Sequence, residues 1–426
     1  MRGSLRFGDG YRYIALVSDL TAHVVIVGAG HAGGSTAAFL RQYGWKGPIT
    51  LIGSEPELPY QRPPLSKAWL SSDPGFASLL LRRSEFYQAN SIVCRCDATA
   101  VAIDRSCRQI ALANGDAVTY DHLVLALGST ARALPVPGHD LRGVVRLRTL
   151  TDANRLKAHL VPGARLAIIG AGYIGLEVAA SARALGVEVT VIEREPRVLP
   201  RVASEPLSAF FARRHDVAGV RIILNASVEA FEGDGPSVAA VRLKDGASVR
   251  CDAVLVGIGA VANDTLARAS GIECTNGINV DPSARTTDPL IHAVGDCTYR
   301  PLPLYAHSAR LESVPNALEQ AKQAAADLCG RTPPTPEVPW FWSDQYEDRL
   351  QIAGLPVDVA EHVTRGDPTA GRFSIFHLSA DGTVQAVEAV NAPADFMAGR
   401  VMIARRKRPL GTALRDLSCS LQDLTR

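Results

Sequence analysis

Two glycine-rich segments carry the residue types in this chain that could do chemistry. They are Gly28-Ala29-Gly30-His31-Ala32-Gly33 and Gly170-Ala171-Gly172-Tyr173-Ile174-Gly175. Both fit the G-x-G-x-x-G spacing, in which glycines allow a tight turn and let backbone N–H groups approach a pyrophosphate. One such segment indicates a bound dinucleotide, and two of them indicate electron transfer between two dinucleotides.

The elements around each segment are those that a dinucleotide-binding turn needs. Apolar runs at Val24–Val27 and at residues 166–169 predict a strand directly before each segment. Alanine-rich stretches at residues 35–43 and 176–185 predict a helix after it. The alternative is that each glycine turn merely packs a helix on a strand, and two complete strand-turn-helix units argue against it.

The same plan occurs twice, so the sequence predicts an internal duplication. We predict an α/β fold with two doubly wound dinucleotide-binding domains, the first at residues 21–130 and 265–332 and the second at residues 131–264. A proline-rich stretch then leads into a smaller C-terminal α+β domain at residues 333–426, which contains a hairpin around Asp381-Gly382. A helix is predicted over residues 313–329, in the returning part of the first domain.

Composition and charge narrow the classes of protein. The 426 residues contain 45 Lys and Arg against 43 Asp and Glu, a balance that argues against nucleic acid or a membrane surface as the partner. No apolar run approaches the ~20 residues that a membrane span needs. Residues 1–20 are predicted to be an extension outside the fold, disordered or derived from an expression vector, and not a secretory signal.

The eight cysteines are informative by their positions. None precedes Cys94, so the segment after the first fingerprint lacks the redox thiol that disulfide-reducing flavoenzymes usually carry there. The one close pair, Cys94 and Cys96, has a tighter spacing than the usual C-x-x-C. We therefore expect reduced thiols in a cytoplasmic protein. No metal site is expected, because the histidines are scattered.

Six strings in the chain resemble one family, the FAD-dependent, NADH-utilising ferredoxin reductases of the putidaredoxin-reductase type. These enzymes feed electrons to haem-thiolate monooxygenases and ring-hydroxylating dioxygenases. The strings are residues 63–67 (PPLSK), 147–150 (LRTL), 175–180 (GLEVAA), 293–297 (AVGDC), 312–321 (ESVPNALEQA) and 340–347 (WFWSDQYE). The resemblance extends from about Val24 to Asn391 and implies a glutathione-reductase-like fold. Its first domain would bind FAD, its second NAD, and its C-terminal domain would form an interface.

The resemblance also implies which residues hold FAD. The positions that match the family are Gly28, Gly30, His31, Ala32, Gly33, Ser54, Glu55, Arg62, Lys67, Ala100, Gly128, Arg148, Asp296 and Val314. Asp296 would accept hydrogen bonds from the ribityl chain, and Val314 would place a backbone N–H at the flavin ring. Two departures stand out. Ser54 occupies the position where the family commonly has an acidic residue that binds the adenosine ribose, so the choice between Ser54 and Glu55 as the ribose ligand stays open. Ala262 occupies a position where the family usually has proline.

The second fingerprint would bind the nicotinamide dinucleotide. The implied residues are Gly170, Gly172, Tyr173, Ile174, Gly175, Glu177, Glu193, Arg201 and Gly259. Glu193 ends the second strand, and a carboxylate there suits a free ribose 2′-OH and repels a 2′-phosphate, which favours NADH over NADPH. Arg194 is a signal in the opposite direction, because an arginine can pair with that phosphate.

For hydride transfer the cofactors supply most of the chemistry, so no acid–base dyad is expected. Lys67 and Glu177 match family positions, and we predict that they form an orienting ion pair near the nicotinamide. The alternative reading of the two residues is a pair of exposed helix charges.

The electron acceptor implied by the family is a small, acidic two-iron, two-sulfur ferredoxin. Trp340 and Trp342 match an aromatic segment between flavin and partner, with core packing as the alternative for Trp342, and Lys322 and the basic run 405–408 would supply local positive charge. We expect a monomer or weak homodimer. Two other functions stay open on the same fold: a cysteine-independent NADH oxidase or monodehydroascorbate-type reductase, and an NADH-sensing interaction protein resembling apoptosis-inducing factor.

Overall fold

A computed structural model of the protein describes residues 19–426, so most of the expected N-terminal extension lies outside the described residues. The chain forms two compact units. The first contains residues 19–61, 79–129 and 262–337, and the second contains residues 62–78, 130–261 and 338–426. Leu20 belongs to the fold, because its carbonyl accepts hydrogen bonds from the N–H groups of Lys46 and Gly47.

The strands of the described residues are short, and most belong to sheets of three or five strands. In chain order they are β1 (Val24–Val27), β2 (Ile49–Ile52), β3 (Ile92–Arg95), β4 (Ala100–Asp104), β5 (Gln109–Leu112), β6 (Ala117–Thr119), β7 (His122–Leu125), β8 (Ser129–Ala131), β9 (Val144–Val145), β10 (Arg165–Ile169), β11 (Glu188–Ile192), β12 (Arg221–Ile223), β13 (Val228–Asp234), β14 (Ser237–Leu243), β15 (Ser248–Arg250), β16 (Ala253–Val256), β17 (Ala260–Ala262), β18 (Ile278–Asn279), β19 (Ile291–Ala293), β20 (Thr298–Leu302), β21 (His307–Ala309), β22 (Trp340–Gln345), β23 (Asp348–Gly354), β24 (Val359–Asp367), β25 (Arg372–Ser379) and β26 (Val384–Val390).

The helices follow the same order. They are α1 (His31–Gln42), α2 (Ala68–Ser71), α3 (Ser84–Ala89), α4 (Leu150–Lys157), α5 (Tyr173–Ala184), α6 (Glu205–Val217), α7 (Thr265–Ala269), α8 (Val314–Leu328), α9 (Pro393–Ala404), α10 (Gly411–Arg415) and α11 (Leu421–Leu424). Single 3₁₀ turns lie at Pro63–Ser66, Phe76–Ser78 and Pro303–Tyr305. Within residues 19–426, no helix combines the length and the apolar character needed to cross a bilayer.

The first unit is built on a parallel sheet of order β19-β7-β1-β2-β3. The chain runs outward from β1 in one direction and then in the other, so the order reverses beside β1, where doubly wound sheets bind their ligands. Helices α1 and α8 pack against each other and against a buried cluster that includes Ile26, Leu51 and Ala324. The loop after β1 is thereby held between rigid elements.

The second unit repeats this plan and adds a further sheet. Its parallel sheet has the order β12-β11-β10-β16-β9, with the reversal beside β10. The C-terminal residues form an antiparallel sheet of order β22-β23-β26-β25-β24, with α9 packed on β23 and β26. The hairpin predicted around Asp381-Gly382 is the β25–β26 pair. These sheets confirm the predicted fold class.

The helices after the fingerprints begin earlier than the sequence indicated. We predicted starts at residues 35 and 176, whereas α1 begins at His31 and α5 at Tyr173. The reason is that the second half of each fingerprint is itself the first helical turn. Helix α8 agrees closely with its prediction, since Ser313 caps its N-terminus by accepting a hydrogen bond from the N–H of Asn316.

Residues 62–78, which the sequence analysis assigned to the first domain, group with the second unit. Helix α2 packs against α4 and α5. Trp69 donates its indole N–H to Asn154 Oδ1 at 2.9 Å. Lys67 therefore has its neighbours in the second unit.

Candidate dinucleotide sites

At two positions of the first glycine turn, the backbone leaves room for glycine only. Gly28 has φ +114°, and a Cβ there would lie 2.1 Å from the carbonyl oxygen of Ala126. A Cβ on Gly33 would lie 1.9 Å from the carbonyl oxygen of Gly28, so α1 closes tightly onto the turn. A Cβ on Gly30, by contrast, meets nothing within 4 Å. The space above Gly30 is thus open, while the turn around it is closely packed.

This open space fits a pyrophosphate. Gly30 is the N-cap of α1 and provides no side chain to cap the helix. The first N–H groups of a helix have no partner within the helix and carry positive partial charge, which suits a phosphate. A side chain at Gly30 would fill the same space, so glycine is the residue that leaves it free.

Other predicted residues of the first unit surround this turn. A Cβ on Gly295 would lie 2.9 Å from Cβ of Ala32, which places the next residue, Asp296, beside the fingerprint. Asp296 Oδ2 accepts a hydrogen bond from Ser129 Oγ at 3.1 Å. Gly128, one residue before Ser129, has φ +66° in the turn after β7.

The turn after β2 also reaches the fingerprint. A Cβ on Gly53 would lie 2.6 Å from Cβ of Ala29. Ser54 is exposed, and Glu55 Oε2 accepts a hydrogen bond from the Tyr60 hydroxyl at 2.5 Å. The choice between Ser54 and Glu55 as the ribose ligand stays a prediction.

Of the remaining residues predicted for FAD, some lie in the first unit and some in the second. Ala100 opens β4, His31 is the first residue of α1, and Val314 is the first residue of α8, all in the first unit. Arg62, Lys67 and Arg148 belong to the second unit. There Arg62 donates from Nη1 to the carbonyl oxygen of Arg148 at 2.6 Å.

The second glycine turn has the same geometry as the first. Gly170 has φ +101°, and its Cβ would lie 2.6 Å from the carbonyl oxygen of Gly257. A Cβ on Gly175 would lie 2.3 Å from the carbonyl oxygen of Gly170, and one on Gly172 meets nothing within 4 Å. This turn therefore offers a second open phosphate cradle at the N-terminus of α5.

Glu193 lies against this turn. Its Oε2 accepts the N–H of Ala171 at 2.7 Å, and its Oε1 accepts the N–H of Glu195 at 3.0 Å. The carboxylate is therefore held against the backbone of the fingerprint itself. Arg194 points elsewhere, since its guanidinium pairs with Glu195 at 2.9 Å.

The other predicted NAD residues gather around the same turn. The Arg201 guanidinium lies 3.7 Å from the Cβ position of Gly259. The Tyr173 hydroxyl donates to the carbonyl oxygen of Val202 at 3.1 Å. Burial raises the pKa of Tyr173 well above its usual value, so the hydroxyl stays a donor. Ile174 is exposed at the start of α5.

Lys67 and Glu177 form the predicted ion pair. Lys67 Nζ lies 2.6 Å from Glu177 Oε2, and the Glu177 side chain is 3 % exposed, so the reading of two exposed helix charges is wrong. Ser66 Oγ also donates to Oε2 at 2.5 Å, and Ser343 Oγ donates to Oε1 at 2.7 Å. Hydrogen bonds thus compensate the cost of burying the carboxylate on both of its oxygens.

The structure adds three residues that the sequence analysis missed: Ser343, Gln345 and His215. Gln345 Nε2 donates to Ser343 Oγ at 3.2 Å, and Gln345 Oε1 lies 2.9 Å from His215 Nε2. The signal in the sequence was faint. Ser343 and Gln345 alternate on the buried face of β22, in a string from which we selected the tryptophans.

The residues predicted to face a partner lie in both units. In the second, the rings of Trp340 and Trp342 are 5.8 Å apart, and the Arg400 guanidinium lies 5.6 Å from the Trp340 ring. In the first, the Lys322 ammonium lies 5.7 Å from the ring of Phe39. In the basic run, Arg408 pairs with Asp381 at 2.7 Å.

Comparison with known proteins covers almost the whole chain. Residues 22–321 match the family described as pyridine nucleotide-disulphide oxidoreductase, and residues 340–425 match the family described as reductase C-terminal. A probable ferredoxin reductase, CtmF, of Castellaniella defragrans is 50% identical over 384 residues, which are 90% of this chain and 94% of the relative. Rhodocoxin reductase of Rhodococcus erythropolis is 45% identical over 89% of both chains.

A solved structure agrees with these matches. The covalent complex of putidaredoxin reductase with putidaredoxin contains a chain with a TM-score of 0.92 and 41% identity. The match covers 95% of this chain and 98% of that one.

Proposed function

Because the chain belongs to the pyridine nucleotide-disulphide oxidoreductase family, as one of its ferredoxin reductases, we propose that it passes electrons from NADH through FAD to a two-iron, two-sulfur ferredoxin. The ferredoxin would in turn supply a haem-thiolate monooxygenase or a ring-hydroxylating dioxygenase. The observation that carries the proposal is the full-length likeness to a reductase solved together with its ferredoxin.

Family membership confirms three expectations from the sequence. The resemblance to ferredoxin reductases is correct, the protein is an oxidoreductase, and its cofactors are FAD and NAD(P)H. The two open glycine cradles fit two dinucleotides. Which residues bind each cofactor, and the preference for NADH, are parts of the proposal.

For FAD, we propose the cradle of the first unit. Gly28, Gly30 and Gly33 shape it, and Asp296 follows Gly295, whose Cβ position lies 2.9 Å from Cβ of Ala32 in the fingerprint. The N-terminus of α8 at Val314 would stabilise negative charge on the reduced cofactor. The predicted roles of Arg62, Lys67, Ala100 and Arg148 rest on the family positions.

For the nicotinamide dinucleotide, we propose the cradle of the second unit with Glu193 as the ribose ligand. Two backbone N–H groups hold the carboxylate in place, so a 2′-phosphate would meet a fixed negative charge. Arg194, the residue that could favour NADPH, is engaged by Glu195. Both observations support NADH.

Glu193→Gln tests this preference, since glutamine removes the charge and keeps an acceptor oxygen for one of the two backbone N–H groups. We expect the ratio of kcat/KM for NADH to that for NADPH to fall about tenfold. Glu188→Gln, at the exposed start of the same strand, is the matched control. An unchanged ratio in Glu193→Gln would show that another residue selects the cofactor.

When bound, FAD would supply the redox chemistry, which is acceptance of a hydride and delivery of single electrons. The chain's own residues bind and orient the two dinucleotides and exclude water. We propose that Lys67 and Glu177 orient the reacting end of the nucleotide, because the pair is rigid, largely buried and located on the helix of the second fingerprint.

Docking of the partner completes the proposal. We assign Trp340 and Trp342 to the electron route. We also assign Lys322 in the first unit, and the basic run 405–408 in the second, as positive groups that an acidic ferredoxin would contact. The protein would act in the cytoplasm as a monomer or weak homodimer. If docking is electrostatic, ferredoxin turnover falls as ionic strength rises while ferricyanide reduction stays nearly constant. Parallel curves would remove the electrostatic element.

The decisive experiment mixes the purified flavoprotein anaerobically with NADH and an oxidised two-iron, two-sulfur ferredoxin. Multiple turnovers of iron–sulfur reduction, followed by absorbance, are the expected result. Loss of flavin colour without reduction of the ferredoxin would overturn the proposal and favour an NADH oxidase or an NADH sensor. A change of assembly state on adding NADH, measured by size-exclusion chromatography, would identify the sensor.

A further inference from the structure

A chain of buried side chains leads away from the Lys67–Glu177 pair through the second unit. It passes from Glu177 through Ser343 and Gln345 to His215 and ends at the Tyr346 hydroxyl, which lies 2.9 Å from His215 Nδ1. Ser343, Gln345 and His215 are each 0% exposed. Three separate elements, α5, α6 and β22, contribute to it.

The chemistry of each group fixes the direction of every hydrogen bond. A carboxylate only accepts, so Ser343 donates to Glu177. The amide nitrogen of Gln345 only donates, so it donates to Ser343, and the amide oxygen must then accept from His215 Nε2. A neutral His215 is left with an acceptor at Nδ1, to which the Tyr346 hydroxyl donates a hydrogen bond. All the donors therefore point toward Glu177.

The far end of the chain is held at a cost in backbone energy. Tyr346 begins the two-residue loop between β22 and β23 with φ +55°, a region that bulky residues rarely adopt and that hairpin loops usually give to glycine, asparagine or aspartate. Its ring lies 5.1 Å from that of His215, with the Arg214 guanidinium 5.9 Å away. The Tyr346 hydroxyl is held at His215 Nδ1 in spite of this unfavourable backbone conformation.

We propose that Ser343, Gln345, His215 and Tyr346 are positioning residues, which act through one directed hydrogen-bond chain to hold Glu177 aligned with Lys67. The inference rests on the proposed function of that pair. Hydrogen bonds in such a chain polarise one another, so each donor strengthens the next. The chain is a specific device, because reversing any one bond would turn the Ser343 proton away from Glu177.

The charged and titratable neighbours are consistent with this role. Glu177 faces Lys67 and, on its own helix, Tyr173. His215 faces Tyr346 and Arg214, and Arg214 is itself paired with Glu347 and Asp348. Arg183 lies near Tyr346. Burial first, and Arg214 in addition, lower the pKa of His215 to about 4, against the opposing hydrogen bond of Gln345, so the ring is neutral at physiological pH.

The direction of the chain can be measured without any reaction. Nitrogen chemical shifts of labelled histidine report which ring nitrogen carries the proton, and comparison with His215→Gln identifies the signal. We expect His215 to be protonated at Nε2 only at pH 7. Protonation at Nδ1 would reverse the chain and overturn the proposal. Tyr87→Phe, which removes a buried hydroxyl without a hydrogen-bond partner in the described residues, is the control for Tyr346→Phe.

The effect on the site is read from flavin reduction by NADH in a single turnover, with no ferredoxin present. We expect the limiting rate to fall about tenfold in Ser343→Ala while the NADH concentration at half-maximal rate changes little, because removing a donor loosens the alignment of Glu177 with Lys67. The matched control is Ser374→Ala. Ser374 is equally buried in the same sheet and donates to Asp395 at 2.7 Å, but not to Glu177. An equal fall in both variants, or no fall in Ser343→Ala, would refute the role.

A double variant tests whether the residues act as one chain. Tyr346→Phe alone should lower the limiting rate by less than Ser343→Ala, and it should add nothing in the Ser343→Ala background. Additive losses would show independent effects and overturn the proposal. Because no experiment here uses a ferredoxin, a wrong acceptor assignment leaves the results readable.

Discussion

The two glycine turns share one backbone and differ in what surrounds them. Gly28 and Gly170 both have positive φ and closed surroundings, and Gly30 and Gly172 both face open space. The residue seven positions after the first glycine, however, is Ser35 in one helix and the buried Glu177 in the other. The two copies thus share their main-chain geometry, and they differ in the side chains that surround it.

The strands that follow show the same division. In the second unit, Glu193 bonds the N–H of Ala171 within the fingerprint. In the first, Ser54 is exposed and Glu55 is bonded to Tyr60. A turn geometry that is common to both copies therefore does not determine which nucleotide each copy binds, and the carboxylates must be examined one by one.

The largest effect is expected from adding a side chain to the first glycine of each fingerprint. Gly28→Ala should lower the free energy of unfolding by roughly 4 kcal/mol or more and abolish flavin binding, because strain at positive φ adds to a clash with the Ala126 carbonyl. Gly170→Ala, with its looser contact, should cost less. Chemical denaturation measures both.

Gly44→Ala and Gly163→Ala are the controls for this prediction. Both glycines have positive φ and nothing within 4 Å of the added Cβ, so they isolate the strain, at about 1 kcal/mol. Equal losses in all four variants would show that the clashes do not matter and that the turns are not specially constrained.

Low pH should destabilise the protein through the hydrogen-bond chain at Glu177, which among the described residues only the second unit carries. The pKa of His215 falls from an ordinary 6.5 to about 4 in the folded state, so the unfolded protein binds more protons between these values. The contribution of His215 to the free energy of unfolding is fully present above pH 6.5. It is lost as the pH falls toward 4, and the total loss is about 3 kcal/mol. His215→Gln should lack this part of the pH dependence in denaturation curves, and identical pH slopes would contradict it.

A side chain in the open space at Gly30 or Gly172 should impair cofactor binding and leave folding almost unchanged. Gly172→Val should raise the KM for NADH at least about tenfold, since a side chain would occupy the phosphate space. The free energy of unfolding should stay within ~0.5 kcal/mol of the wild type. Gly30→Val should instead lower the flavin content. If either variant impaired both cofactors equally, the assignment of one cradle to each would fail.

The smallest effect is expected at Ser54, where the first unit lacks the acidic residue that the family commonly has. Ser54→Asp would place a carboxylate directly after the turn at Gly53, and we expect FAD to dissociate about threefold more slowly. Apo-protein reconstitution followed by flavin fluorescence measures the rate. Glu55→Gln is the companion variant, and a larger effect there would assign the ribose to Glu55.

The sequence was sufficient for features encoded locally. Both fingerprints, their strands, the cap of α8 at Ser313 and the hairpin at Gly382 were predictable, because glycine spacing, apolar runs and capping residues act over a few positions. The Lys67–Glu177 pair was predicted only through the family resemblance, since 110 positions separate the two residues.

Features encoded by distant contacts were out of reach. His215 looked like one of ten scattered histidines, and its partner Gln345 lies 130 positions away. The grouping of residues 62–78 with the second unit depends on packing against α5, which periodicity alone does not reveal. The early starts of α1 and α5 were missed because glycine has poor helix propensity, and tertiary packing overrides it there.

The left-handed backbone at Tyr346 gives this position two opposed optima. Glycine there would relieve the strain and strengthen the hairpin, and it would also remove the hydroxyl that begins the chain to Glu177. Laboratory evolution for heat resistance alone would favour glycine, whereas selection on electron delivery would retain tyrosine. At residue 346, thermal stability and catalytic turnover therefore favour different amino acids.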